Sequence, residues 1–288
     1  MTLPCRNEER VTKQVQPTIE LLTHMDEWHP DVLKQHTIEP ADYHEGLVFR
    51  SAIESIRGSY IASSTTQREG LVGDVLENLL QRKRIAAYQH MGSRQRHDFT
   101  VIVKRDPMYE VALEVKGGEG NSINISVRPI WAEEFGVWCH LDGAIVNQPA
   151  HGAHSIISRL TNELVKRQKQ VDVLFFKDIL CGTRARPCPK YPVHEEETGL
   201  NTAPDVFLFP RRVPTLDDPE PPVHTPDTLK LPWIILGLFG VEADERDQHV
   251  WEVHVRVVEE KKGQLRRFVQ VTHQGKVVDE SRGRPWLP

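Results

Sequence analysis

The chain has 288 residues, enough for one large or two small domains with a hydrophobic core. Hydrophobic residues make up 39% and charged residues 27%, a composition that excludes an intrinsically disordered chain. The formal net charge of -5 argues against a protein that coats nucleic acid without specificity. No apolar run approaches the roughly 20 residues that span a bilayer, so we predict no membrane contact.

The cysteine spacing and the first residues of the sequence indicate the cellular compartment. The four cysteines, at positions 5, 139, 181 and 188, lack the spacing of a disulfide framework. The first residues, MTLPCRNEER, are polar and mixed in charge, unlike a secretory signal. Because cytosolic thiols stay reduced, these features predict a cytoplasmic protein.

The sequence gives a structural zinc site little support. Two clusters of cysteine and histidine exist, but neither has the paired CxxC spacing of such a site. With 14 histidines in the chain, chance clusters are common. We therefore expect buried thiols and surface histidines at these positions, which are Cys139, His140, His151 and His154 in one cluster and Cys181, Cys188 and His194 in the other.

The first half of the chain predicts a helix followed by strands. Residues 1-60 carry only weak helical patterns, and we predict an N-terminal helical region there. SSTTQREGLVGDVLENLLQRKR predicts a helix, because it offers Ser and Thr as N-caps and has leucines and valines at helical spacing. HDFTVIVKR and EVALEVK predict two strands joined by the turn DPMY. INISVRPIWA is the third predicted strand.

The second half predicts one more helix and then mainly strands. GAHSIISRLTNELVKRQKQ is amphipathic at helical spacing, and VDVLFF directly after it is typical of a buried strand. The order from the first helix to this strand is therefore α-β-β-β-α-β, within a core at 61-210. PDVFLF predicts a short strand. LPWIILGLFGVEA, HVWEVHVRVVEE and QLRRFVQVTH predict a three-stranded meander in a C-terminal β-rich extension at 211-288.

The hairpin of the first two strands brings charged residues together. Placed symmetrically about Pro107, it sets Asp98 opposite Lys116 and Thr100 opposite Glu114. Alternate residues of a strand share a face, so the two acids and the lysine converge at one end of the hairpin. The register is an assumption, because apolar alternation within each strand does not determine which residues pair.

Two acids and a lysine in this arrangement suit one kind of chemistry. Two close carboxylates repel each other unless a cation lies between them, and Mg²⁺ prefers a few oxygen ligands together with water and phosphate. A neighbouring lysine offsets phosphate charge or orients a water beside the metal. We therefore predict metal-assisted phosphodiester hydrolysis at Asp98, Glu114 and Lys116, with Gly117 and Gly118 allowing a phosphate backbone to come close.

These residues resemble a known family. A helix carrying GxxxE from Gly73 to Glu77, then Asp98, fifteen residues, and Glu114-Val115-Lys116 is similar to the PD-(D/E)xK nuclease superfamily, which includes most type II restriction endonucleases. The resemblance extends over residues 68-180 and to the α-β-β-β-α-β order. It implies an α/β fold with a restriction-endonuclease-like core, in which helices flank a mixed sheet, followed here by a C-terminal antiparallel β extension.

The resemblance also implies roles for the site residues. Asp98 and Glu114 would bind Mg²⁺, Lys116 would assist the attacking water, and Glu77 would be an auxiliary ligand. Two further acids of the same helix compete for the last role, Glu69 and Asp74. His97 stands where the motif has proline, a position that serves local geometry and not chemistry.

By resemblance, the function is that of a prokaryotic restriction or defence endonuclease that cuts double-stranded DNA. Water would attack the phosphorus in line, leaving a 5′-phosphate and a 3′-hydroxyl. A symmetric cut of both strands would favour a homodimer. Two alternatives stay open: a repair nuclease or RNase, and a non-catalytic binding or assembly module on a degenerate nuclease scaffold, which the negative net charge favours.

Further side chains are candidates for contacts near the site. Arg94 and Arg96 flank it, and we predict that they bind phosphates. For Trp131 and Trp138 we favour a place in the core over a stacking platform. Two further acids are candidates for the cleft, Asp142 and Glu163, and we expect both at the surface.

Overall fold

The structure is a computed structural model that describes residues 65–92, 96–117, 123–141, 149–178, 203–281 and 283–286, besides residues 34, 39 and 41. The predicted helical region at 1-60 lies outside the described residues, apart from those last three. The same holds for several candidate site and zinc-cluster residues, namely Arg94, Gly118, Asp142, Cys181, Cys188 and His194.

The described part of the chain begins with one helix followed by four strands, and strands dominate its end. In chain order they are α1 (Thr65–Gln81), β1 (Ala87–His90), β2 (Phe99–Arg105), β3 (Met108–Gly117), β4 (Glu134–Leu141), α2 (Pro149–Lys166), β5 (Val173–Asp178), β6 (Asp205–Leu208), α3 (Leu231–Leu238), β7 (Val250–Lys261), β8 (Gln264–His273), β9 (Lys276–Glu280) and β10 (Arg284–Trp286). None of the helices in this part of the chain is long and apolar enough to cross a bilayer.

All the named strands belong to one mixed sheet of ten strands. Its order is β1-β2-β3-β4-β5-β6-β7-β8-β10, and β9 also pairs with β8. β3, β4 and β5 are parallel neighbours, β6 is parallel to β7, and the other pairs are antiparallel. The α/β class and the mixed sheet are therefore confirmed. The C-terminal strands continue the sheet of the core, because β7 pairs with β6.

Helices cover both faces of this sheet. The apolar side chains of α1, among them Val72 and Leu76, pack with those of α3 against Val111 and Leu113 of β3. Apolar side chains of α2, among them Leu160, pack on the opposite face against Ala112 and Val137. Because side chains alternate along a strand, even-numbered residues of β3 face α2 and odd-numbered residues face α1.

The predicted order α-β-β-β-α-β is present, with one strand added and one moved. β1 is an additional strand between α1 and the hairpin. INISVRPIWA is not a strand, and the third strand of the predicted series is β4, at Glu134–Leu141. Arg128 explains the difference, because its guanidinium donates to the carbonyls of Ala132 and Glu133 and closes a turn there. Pro129 also has no N–H for a ladder.

The strand predicted at LPWIILGLFGVEA is wrong, because α3 begins there at Leu231. The run is apolar on every side, so periodicity does not separate a helix from a buried strand. Pro232 is compatible with the first helical turn. The Glu134 carboxylate accepts the N–H of Leu231 at 3.2 Å from Oε2, which satisfies a donor at the start of the helix.

Candidate active site

The candidate site lies where the end of β3 meets the start of β2. β3 carries Glu114 and Lys116 in its last four residues, and Asp98 comes directly before β2. Because β2 and β3 are antiparallel, these two ends are adjacent. The parallel strands β3, β4 and β5 end at the same edge of the sheet, which is where open α/β sheets commonly bind ligands.

The pairing of β2 with β3 differs from the predicted register. Thr100 pairs with Ala112 and Phe99 with Leu113, so Asp98 comes level with Glu114 and not with Lys116. The register shifts between Ile102 and Lys104, where a bulge changes the pairing near the turn. Closer to the site, each residue of β2 pairs with the β3 residue two positions before the predicted one. A displacement of two keeps every side chain on its predicted face.

Asp98 is fixed against the backbone of β3. Its Oδ2 atom accepts the N–H of Val115 at 2.6 Å. Its own N–H donates to the carbonyl of Leu113 at 3.1 Å. Asp98 is therefore held beside the peptide that joins Glu114 to Val115, and its negative charge acts on Glu114.

Glu114 is a buried carboxylate with two partners. Only 4% of the residue is exposed. Its Oε1 atom lies 2.6 Å from the Lys116 ammonium, and Oε2 accepts the N–H of Ser126 at 2.8 Å. Burial raises the pKa of Glu114, Lys116 and the Ser126 N–H oppose this, and the charge of Asp98 adds to it. A cation close to this carboxyl group would stabilise its ionised form.

Glu77 does not contact these three residues in the structure. Its carboxylate accepts the hydroxyl of Tyr88 at 3.0 Å and the amide of Gln81 at 3.1 Å. Tyr88 pairs with Val101, on the face of the sheet that α1 covers, whereas Glu114 is directed to the face of α2. The role of Glu77 as an auxiliary ligand therefore stays a prediction.

Glu69 and Asp74 are the other candidate acids on α1. The strand residue that Glu69 contacts lies closer to Asp98 than the one that Glu77 contacts. Glu69 Oε2 lies 3.1 Å from Nε2 of His90, and His90 pairs with Phe99, the residue after Asp98. For Asp74, the described hydrogen bond is from the Asn78 amide to its backbone carbonyl. Nothing in these contacts assigns either acid to a metal.

The residues fit Mg²⁺ as a site of two carboxylates. Asp98 and Glu114 supply hard oxygen atoms, and Mg²⁺ commonly takes one or two protein carboxylates and completes its shell with water and substrate phosphate. Among the described residues, no group of three or more His, Cys, Asp or Glu side chains has the arrangement of a metal site. A third protein ligand from Glu69 or Asp74 is therefore not part of this fit.

Several neighbouring side chains differ from expectation. Trp138 is in the core, as predicted, but Trp131 is 42% exposed. Glu163 is buried and not at the surface, because Arg167 and Lys169 pair with it at 3.1 and 3.3 Å. His140 is fully buried on β4, so the expectation of a surface histidine is wrong there.

Of the predicted DNA contacts in the described part of the chain, Arg96 is exposed beside the site, and Gly117 ends β3.

The sequence did not reveal the Ser126 N–H as a partner of Glu114. A backbone donor carries no side-chain signature, and the loop that brings it to Glu114 was predicted to be a strand. A signal was nevertheless available, since Pro129 within that segment argues against a central strand.

Cys139 lies next to the site, paired with Lys116 across β3 and β4. It is fully buried, and burial raises the pKa of its thiol to about 12, although the charges of Lys116 and Arg159 oppose the shift. This agrees with the ordinary buried thiol that was predicted.

We expect Cys139 to resist alkylation in the folded protein. With the pKa at about 12, only about one thiol in ten thousand is ionised at pH 8, and the thiolate is the reactive form. Treatment with iodoacetamide at pH 8, followed by peptide mass spectrometry, should leave Cys139 unmodified. The same treatment in denaturant should modify it fully, and rapid labelling of the folded chain would contradict the burial.

No protein-family model matches the chain, and no curated protein and no solved structure matches it either.

Proposed function

We propose that this chain is a Mg²⁺-dependent endonuclease that hydrolyses phosphodiester bonds in DNA, of the restriction or defence kind. One observation carries the proposal: the buried Glu114 carboxylate contacts Lys116 at 2.6 Å while Asp98 is held on the adjoining backbone. The resemblance of Asp98, Glu114 and Lys116 to the PD-(D/E)xK motif supports the same reading.

Each residue of the site has a role in this reaction. Asp98 and Glu114 would hold Mg²⁺, which would supply Lewis-acid activation of the phosphate and of the attacking water. The N–H groups of Val115 and Ser126 keep the two carboxylates oriented. Lys116 supplies a positive charge that orients the attacking water and offsets the charge of the phosphate. Because Glu114 is buried, these interactions are less screened than in water.

The electrostatics of Glu114 are compatible with a bound cation. Burial raises its pKa in spite of the lysine at 2.6 Å, so the single ion pair does not fully compensate for desolvation. An added cation would lower this cost.

The test is cleavage of DNA by the purified full chain. Supercoiled plasmid is incubated with Mg²⁺ or with EDTA, and the products are separated on agarose. We expect nicked and linear DNA with 5′-phosphate ends in Mg²⁺ and intact plasmid in EDTA. RNA, single-stranded DNA and branched DNA are tested side by side: cleavage of the paired plasmid supports the restriction reading, and cleavage of the other substrates alone would indicate a repair nuclease or RNase. The proposal fails if no substrate is cut under any of these conditions.

A non-catalytic binding module is the second candidate, and one observation favours it. Lys116 and Glu114 already neutralise each other within the fold, as residual charges on an inactive scaffold would. Such a module would bind DNA or a partner chain equally well with Mg²⁺ and with EDTA. The plasmid experiment, combined with a binding measurement on the same DNA, separates the two candidates.

A further inference from the structure

A loop between β3 and β4 borders the candidate site. At Ser126 its N–H donates to the Glu114 carboxylate at 2.8 Å. At Trp131 the indole contacts the ring of His97, with the centroids 5.4 Å apart and the rings edge to face. His97 directly precedes Asp98. The two ends of the segment 126-131 are therefore fixed beside the two proposed metal ligands.

Between these anchors the loop exposes large apolar side chains. Val127 is 51% exposed, Trp131 42%, and Ile130 is fully exposed at 106%. These three residues, called the apolar ridge below, are among only seven exposed large hydrophobic residues in the described part of the chain. Clustered exposed apolar groups are unfavourable in water and commonly mark a binding surface.

Arg128 braces the loop from inside. Its guanidinium donates to the carbonyls of Ala132 and Glu133 at 2.8 and 2.6 Å and pairs with Asp172 at 3.0 Å. Asp172 is fully buried. The apolar ridge is thus presented by a segment whose backbone is held by a buried ion pair. A ligand that binds it loses little free energy to ordering the loop.

We propose that the apolar ridge receives an unstacked DNA base next to the phosphate that is cut, with Trp131 stacking on that base. This rests on the proposed nuclease function. Aromatic side chains stack on any base, and apolar side chains insert between base steps. A net charge of -5 gives little general attraction to DNA, so base contacts beside the site would supply affinity that phosphate contacts do not.

The substrate class follows from the same contact. A base that is already unpaired stacks on Trp131 without first leaving the duplex, whereas a paired base must be unstacked at a cost. We therefore infer that the enzyme, besides cutting paired duplex, binds DNA more tightly where a base beside the cut is already unpaired or displaced. Single strands, flaps and mismatches belong to this class.

The experiment measures binding in EDTA, where no metal-dependent cleavage occurs. Three fluorescent oligonucleotides are titrated with the full chain: a paired duplex, the same duplex with one unpaired base, and a single strand. We expect wild type to bind the last two more tightly. Trp131→Ala should weaken binding to them by about tenfold, and Trp131→Phe should largely restore it. Leu216→Ala removes another exposed apolar side chain, 50% exposed, and should change nothing.

A second readout reports the stacking itself. The unpaired base is replaced by 2-aminopurine, whose fluorescence is quenched when it stacks on an aromatic ring. We expect wild type and Trp131→Phe to quench it and Trp131→Ala to leave it bright. Equal melting temperatures for the variants exclude a loss of folding as the cause.

The outcomes separate this inference from the proposed function. If Trp131→Ala binds all three oligonucleotides as wild type does, the ridge inference is overturned while cleavage by wild type still supports the nuclease. If wild type neither binds nor cuts any DNA, both fail. If Trp131→Ala changes the molar mass measured by light scattering but not DNA binding, the ridge is a protein contact and the inference is overturned.

Discussion

Glu114→Gln is expected to reduce DNA cleavage by about a thousandfold while the protein stays folded and still binds DNA. The amide keeps the shape of the side chain and an oxygen that can accept the Ser126 N–H. It removes the negative charge that would hold Mg²⁺. DNA binding should persist or become tighter, because one fewer carboxylate repels the phosphates. Cleavage rates and binding constants on one DNA, with and without Mg²⁺, measure both effects.

Lys116→Ala provides the comparison within the site. It should reduce cleavage about as strongly, but the dependence of the residual rate on Mg²⁺ concentration should change less than in Glu114→Gln, because the lysine is not a metal ligand. Asp218→Asn is the matched acid-to-amide control, since Asp218 pairs with Arg212 at 2.9 Å outside the site. It should cut at the wild-type rate. If Glu114→Gln and Lys116→Ala both did so too, the nuclease assignment at this site would be wrong.

The faces of the β2–β3 hairpin could be predicted from the sequence, but its register could not. Alternation assigns Leu113 to one face and Glu114 to the other, and both assignments agree with the structure. Which residue of β2 pairs with which of β3 depends on a bulge near Val103. Nothing in VIVKR distinguishes a bulged strand from a regular one, because a bulge is set by how the strands twist and pack.

The positions of the side chains around the site depend on contacts between residues that are distant in sequence. Glu163 is a charged residue on a helix, which favours the surface, but it is buried. Its partner Lys169 also donates to Asn124 and Ile125 on the facing loop. Trp131 lies outside the core because Arg128 turns the chain before β4. Local patterns predict which elements form. They do not predict which loop a half-buried arginine will hold in place.

Asp172→Ala should strongly destabilise the fold. The Asp172 carboxylate is fully buried and has four partners, three of which are distant in sequence. It accepts the N–H of Phe135 at 2.8 Å and the amide of Gln170 at 2.7 Å, and it pairs with Arg128 and His224 at 3.0 and 3.1 Å.

Removing one partner of a buried ion pair leaves the other charge uncompensated, which typically costs about 3–5 kcal/mol. Because Arg128 is only 25% exposed, its guanidinium has limited access to water once Asp172 is lost. Asp172→Asn should cost less, because the amide still accepts the Phe135 N–H. The double variant Asp172→Asn with Arg128→Met should regain part of the loss, since no unpaired cation remains in it.

Urea unfolding followed by circular dichroism measures these free energies of unfolding, with Asp218→Asn as an exposed ion-pair control that should change stability by less than about 1 kcal/mol. Asp172 also fixes the start of β4 through Phe135 and, through Arg128, the loop that donates Ser126 N–H to Glu114. Asp172→Asn should therefore lower cleavage even at temperatures where the variant is fully folded. A variant that is as stable and as active as wild type would show that neither the core nor the Glu114 carboxylate depends on this buried charge.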